Sequence, residues 1–163
     1  MSQLYVDTIT EKTAGNGVQI ADLVPNAGSV VQVVQGTTLF GTTVSNTTYV
    51  ATTLTATITP TSTSSKILAF GQGFAVASQS QAQPQIKLYR NGLDISPVNY
   101  GFGNIYSNSG GYNEGMLVFS LLDSPSSSSA TTYTIYLRNN GVGNGTFGAG
   151  DRYSVITLME IAQ

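Results

Sequence analysis

Along residues 50–60, VATTLTATITP, apolar residues and threonines take turns. Val50, Leu54, Ala56 and Ile58 share one parity with Thr52, while Thr53, Thr55, Thr57 and Thr59 hold the other. Successive side chains on a strand point to opposite faces, so this period of two makes one face apolar and one face hydroxylated. Threonine suits the wet face, because its branched Cβ favours extended backbone while its hydroxyl stays hydrated. The stretch predicts a half-buried strand, and such a strand needs a second layer to cover it.

The same period returns down the chain. SVVQVVQG, residues 29–36, predicts a first strand. In SSKILAFGQGFAVAS, Leu68, Phe70, Phe74 and Val76 oppose Ile67, Ala69, Gly71, Gly73 and Ala75. Small residues opposite large ones predict a central strand with something packed closely on its thin face. QIKLYRNGLDI turns Ile86 and Leu88 inward and Lys87 and Tyr89 outward, and its Asn91-Gly92 pair is a hairpin turn signal. GMLVFSLLDSP predicts a strand over 115–122 that Asp123 and Pro125 end, and TTYTIYLRNN sets Tyr133, Ile135 and Leu137 against Thr134, Tyr136 and Arg138. The last segment, DRYSVITLMEI, is apolar on both parities, which fits the middle of a sheet. Seven or eight strands and no helix predict an all-β antiparallel sandwich. The Cys…Trp…Cys spacing of immunoglobulin domains is absent, so a jelly-roll-like topology is expected, over residues 29–163.

Residues 1–28 read as a separate piece. YVDTIT, a Gly15-Asn16-Gly17 turn and VQIADL form a short strand-turn-strand, with Val6, Ile9, Val18 and Ile20 as its candidate assembly residues. Two strands alone are marginal in water. This ribbon is expected to pack on another copy, on its own domain or on a partner chain.

At 163 residues the chain is long enough for a core without a metal or disulfide staple. It has no cysteine, histidine or tryptophan. Thiol nucleophiles, Cys/His metal sites and histidine relays are therefore excluded. Six basic against eight acidic residues, with no basic run, argue against nucleic acid as a partner. Asp7, Glu11 and Lys12 interrupt the first residues, so a signal peptide or membrane span is not expected there and the chain reads as soluble. Only 9% of residues are charged, against about a quarter in ordinary domains; serine, threonine, asparagine, glutamine and glycine take their place.

Little here points to catalysis. Beyond Asp7 and Glu11 the carboxylates are Asp22, Asp94, Glu114, Asp123, Asp151 and Glu160. A glycosidase needs two of them across a cleft, whereas Asp94, Asp123 and Asp151 read more simply as turn or strand-edge acceptors. No serine sits in a nucleophile motif, and no P-loop or calcium-loop pattern occurs. Asn46-Thr47-Thr48 and Asn144-Gly145-Thr146 match the glycosylation acceptor pattern, which arises often by chance in a threonine-rich chain. The expectation is a protein that is not an enzyme and takes no cofactor or metal.

Binding has a better candidate in SPVNYGFGNIYSNSGGYNEG, residues 96–115, which sets Tyr100, Phe102, Tyr106 and Tyr112 among glycines, asparagines and serines. Rigid aromatics with adaptable amides are the composition of a recognition loop, suited to a sugar or a protein surface. The alternative is a strand with these aromatics in the core or at a subunit interface. NNGVGNGTFGAGD, residues 139–151, is a second glycine-rich loop.

VDTITEKTAGNGVQI resembles the short strand-turn-strand element of tail fibres and related appendages of tailed bacteriophages, marine and cyanobacterial ones especially. GSVVQVVQG, TATITPTSTSSKILAF, IKLYRNG, FSLLDSPSSSSATTYTIYLR and ITLMEIAQ resemble, in order, the blocks of a fibre-type domain in those virion proteins. The likeness runs over nearly the whole chain and is weakest at 77–115. It implies a virion structural protein without a cofactor, usually a homotrimer, whose sandwich knob forms the exposed end. Its partners would be other tail, baseplate or capsid proteins and a bacterial surface glycan or protein. It supplies no catalytic residues. A capsid-surface fibre, a decoration protein or a non-receptor tail component would share the same blocks. The modest length and initial methionine suit a complete small protein that caps or decorates a larger assembly.

Overall fold

The structure, a computed structural model, describes residues 25–97, 99–108, 111–148 and 152–163. The candidate assembly residues Val6, Ile9, Val18 and Ile20 lie outside them, as does Asp151. The described strands are β1 (Val30–Thr38), β2 (Thr42–Val44), β3 (Val50–Ile58), β4 (Lys66–Ala77), β5 (Pro84–Arg90), β6 (Leu93–Asp94), β7 (Asn113–Asp123), β8 (Thr131–Asn139), β9 (Gly145–Phe147) and β10 (Ser154–Ile161).

They form two antiparallel sheets that pack face to face. In the first, β10 lies between β1 and β4, and β7 pairs the far edge of β4 along its whole length. Beyond Gln72, β9 takes the place of β10 beside β4 and carries β2. The second sheet runs β3-β8-β5-β6. Between the sheets lies one cluster that includes Leu54, Ile58, Ile67, Ile86, Leu88, Tyr133, Ile135, Leu137, Phe147, Ile156 and Leu158, all closed to solvent. Each such aliphatic side chain contributes roughly 1.5–3 kcal/mol by leaving water.

The alternations resolve as expected, with one informative departure. Thr53, Thr55 and Thr57 face solvent, and Thr55 and Thr57 share hydroxyl hydrogen bonds with Thr134 and Thr132 across β8, at 3.0 and 2.8 Å. Thr52, on the apolar parity, is buried where the β3–β8 register is irregular. Its hydroxyl donates to the Ile135 carbonyl at 2.7 Å and accepts from the Leu54 amide at 3.2 Å. A hydroxyl there restores pairing that the ladder loses at the irregularity. At the β5–β6 hairpin, Asn91 and Gly92 take φ of 48° and 82°, as a two-residue turn of this hand requires.

β4 turns its thin face to the core. A Cβ at Gly73 would enter the ring of Phe147, which fills the space from β9. The large residues Leu68 and Phe70 therefore lie on the outer face of the first sheet. At the corner where β1 meets β3, a Cβ at Gly36 would run into the Thr55 carbonyl. Backbone cannot give way as a side chain does. Gly36→Ala is expected to cost about 1–3 kcal/mol by overpacking, read as a lower midpoint in a thermal melt; an unchanged midpoint would contradict this close approach.

Two polar clusters tie distant segments together. Glu160 of β10 is fully buried. Its carboxylate accepts from the Thr61 amide and hydroxyl and the Ser65 hydroxyl, all at 2.7 Å, and from Gln32 Nε2 at 2.6 Å. Burial pushes the carboxyl up, but the bonds from Thr61, Gln32 and Ser65 outweigh it and hold the group at about 2. On the other side, Asp123 accepts two bonds from Arg90 Nη1, each 2.8 Å, and one from the Tyr133 hydroxyl at 2.6 Å. Burial, and then the adjacent Asp123 carboxylate, push the Tyr133 phenol far above its ordinary range.

Candidate binding surfaces

The segment after β6 runs back along the free edge of β5. Ile95 donates to the Leu88 carbonyl at 3.1 Å, Phe102 to Ile86 at 3.1 Å, Ile105 to Pro84 at 3.3 Å and Ser107 to Ala82 at 3.2 Å. These bonds cover an edge that would otherwise be open for pairing with another chain. Phe102 and Ile105 pack against the core, with the Phe102 ring 5.9 Å from Phe119 of β7. The backbone is thus pinned at several points, and its apolar residues plug the gap between β5 and β7.

The tyrosines are placed otherwise. Tyr100, Tyr106 and Tyr112 are 62%, 47% and 65% exposed. Bonds from Asn113 Nδ2 to the Tyr106 carbonyl, 2.8 Å, and from the Ser107 hydroxyl to the Gly111 carbonyl, 2.6 Å, hold the loop without using a phenol. Of the four aromatics singled out from the sequence, three therefore stand in solvent and Phe102 anchors the loop. Three phenols on a pinned backbone offer flat apolar area plus hydroxyls at a low cost in side-chain entropy.

The outer face of the β3-β8-β5-β6 sheet is polar, with the Tyr49 hydroxyl and Gln85 Nε2 buried there without a hydrogen-bond partner. Tyr89 and Tyr136 stack at 3.8 Å, and Arg138 and Lys87 lie 4.8 and 5.1 Å from the centre of the Tyr49 ring. Lys87 pairs with Asp94 at 2.6 Å. Burial is the main cause that raises Tyr49 and Tyr89, so both stay protonated at neutral pH. Burial also acts to raise Asp94, but Lys87 and Ser96 hold it below the ordinary carboxylate range. Tyr49 and Tyr89 thus stay neutral and Asp94 ionised around neutrality.

The four described carboxylates all have partners: Asp94 with Lys87, Asp123 with Arg90, Glu114 with Arg152 at 3.4 Å, and Glu160 with its ring of neutral donors. Among the described residues no three His, Cys, Asp or Glu side chains converge as a metal site would need. The outer face of the first sheet, which sequence parity alone did not single out, carries a shallow cavity of about 780 Å³ bordered by Phe70, Gln72, Val118, Val155 and Thr157. No protein-family model matches this chain, and no curated protein sequence matches it.

Proposed function

We propose that this chain is a structural protein of a tailed-phage virion, a fibre or receptor-binding appendage that presents a jelly-roll knob to a bacterial surface. The observation that carries the attachment role is the exposure of Tyr100 and Tyr106 on a loop whose backbone is fixed along β5, with Tyr112 exposed just before β7. Rigid, exposed phenols match sugar rings or a protein surface, and several copies on one particle turn weak contacts into adhesion. The jelly-roll reading is supported by the strand order: β1, β3, β4, β5, β7, β8 and β10 alternate between the sheets along the chain. The phage assignment rests on the sequence blocks, and the knob acts without a cofactor, as a homotrimer beside other virion proteins.

The second reading is a capsid-surface fibre or decoration protein. It is favoured by Phe40, 77% exposed at the turn between β1 and β2, a large apolar knob suited to another virion protein.

Binding of purified, labelled chain to susceptible bacteria tests attachment. A variant with Tyr100, Tyr106 and Tyr112 all changed to serine is expected to melt almost as the parent does, because exposed positions carry only about 0.5 kcal/mol each. Its binding is expected to fall at least about tenfold, the equivalent of one lost contact of 1.4 kcal/mol. Undiminished binding by this variant would remove the loop from the account. A parent chain that binds no cells would favour decoration.

A further inference from the structure

We infer that the outer face of the β1-β10-β4-β7 sheet is the surface through which copies of this chain join one another. The inference deepens the assembly part of the proposed function and rests on it. Antiparallel register sets Val33, Met159, Leu68 and Leu122 in one row across the four strands. The next rows hold Phe70, then Val155 and Val118, then Met116, beside which Phe74 is buried under the Arg152 guanidinium. Val118 and Leu122 are 60% and 53% exposed, and Val33 and Met116 about as open. Gln35, Thr37, Gln72, Thr157 and Ser120 are the polar residues between them, and none carries a charge.

The opposite outer face shows that the chain does not simply tolerate apolar surface. It spends threonines, a Lys87–Asp94 pair and stacked tyrosines there. At about 4.8 Å between strands and about 3.4 Å per residue, four strands over four register rows project roughly 500 Å². That is near the top of the ~300–600 Å² expected of the largest apolar patch on a monomer. It is more than half of the ~800 Å² per partner of a standard interface.

The occupant is a second copy. A face that meets its own kind must not oppose like charges, and among the described residues this one has charge only at its ends, Lys66 at one and the Glu114–Arg152 pair at the other. Residues 27–29 enter the sandwich beside its last residues, with Gly28 donating to Ala162 at 2.8 Å and Ala162 to Ser29 at 2.9 Å. The preceding segment therefore leaves from the β1–β10 end of the same sheet.

Sedimentation equilibrium of the full chain, with Val118→Asp plus Leu122→Asp as the variant, tests this. Both positions are exposed, so the variant is expected to keep its cooperative melt while its self-association weakens at least about a hundredfold, as burying uncompensated like charges demands. A parent that sediments as a monomer at every concentration overturns both this inference and the homotrimer. An assembled variant with unchanged dissociation overturns this face alone and leaves the fibre reading standing. Val118→Cys covers the case in which the aspartates prevent folding. It adds the chain's only thiol, which should react with a maleimide more slowly where the parent assembles than after dilution. Equal rates at both concentrations overturn the inference.

Discussion

Glu160→Ala is expected to remove about 3–5 kcal/mol of stability, measured by denaturant or thermal unfolding, because it leaves several buried donors without an acceptor. The Thr61 amide and hydroxyl, the Ser65 hydroxyl and one bond of Gln32 all end on this carboxylate. Glu160→Gln is the milder change. Its carbonyl oxygen keeps the Thr61 and Ser65 donors, but its amide nitrogen faces Gln32 Nε2, which already donates to the Thr59 carbonyl at 2.7 Å. A loss of about 1–2 kcal/mol is expected. The pH dependence separates electrostatics from packing. The folded carboxyl titrates at about 2 against an ordinary 4.5, so its contribution is complete above pH 4.5 and disappears as the pH falls towards 2. A shift of that size corresponds to the order of 3 kcal/mol. The parent is expected to lose stability through that window more steeply than Glu160→Gln; parallel profiles would show that Glu160 is not held as a buried anion.

Asp123→Ala is the second large loss, about 2–4 kcal/mol in the same measurement. Asp123 is the common acceptor for Arg90 and Tyr133. Removing it strands the phenol of a fully buried tyrosine and a guanidinium whose side chain is only 22% exposed. Tyr133→Phe is expected to cost less, about 1 kcal/mol, since it deletes a donor and leaves Asp123 with Arg90. If Asp123→Ala proves no worse than Tyr133→Phe, the ion pair contributes nothing to the fold.

These clusters mark the boundary of what the sequence made legible. The long strands were readable because a period of two survives in each, most plainly in Thr53, Thr55 and Thr57 and in Tyr133, Ile135 and Leu137. β2 and β9, at three residues each, are too short to show any period. Glu160 shared a parity with Ile156 and Leu158, which was a sign that it must be satisfied. Its acceptor role stayed hidden because Thr61 and Ser65 lie 99 and 95 residues away in sequence. Glu160 and its donors Gln32, Thr61 and Ser65 are spread over the GSVVQVVQG, TATITPTSTSSKILAF and ITLMEIAQ stretches, and Arg90, Asp123 and Tyr133 over two others, so neither cluster shows in any one stretch. Parity divided β4 correctly but did not say which side faced in. The side with larger residues turned outward, because Phe147 and Phe119 from neighbouring strands fill the space over its glycines. Among the described residues between β6 and β7 no strand runs long enough to give a parity meaning, so Phe102 and its neighbouring tyrosines looked equivalent until the bonds to β5 separated them.

Immunogold electron microscopy of purified phage particles, with antibody raised to residues 25–163, tests the central claim most directly. The account predicts label at the tips of tails or baseplate appendages. Particles that carry no label anywhere would contradict the virion assignment, and label spread over the capsid would replace attachment with decoration.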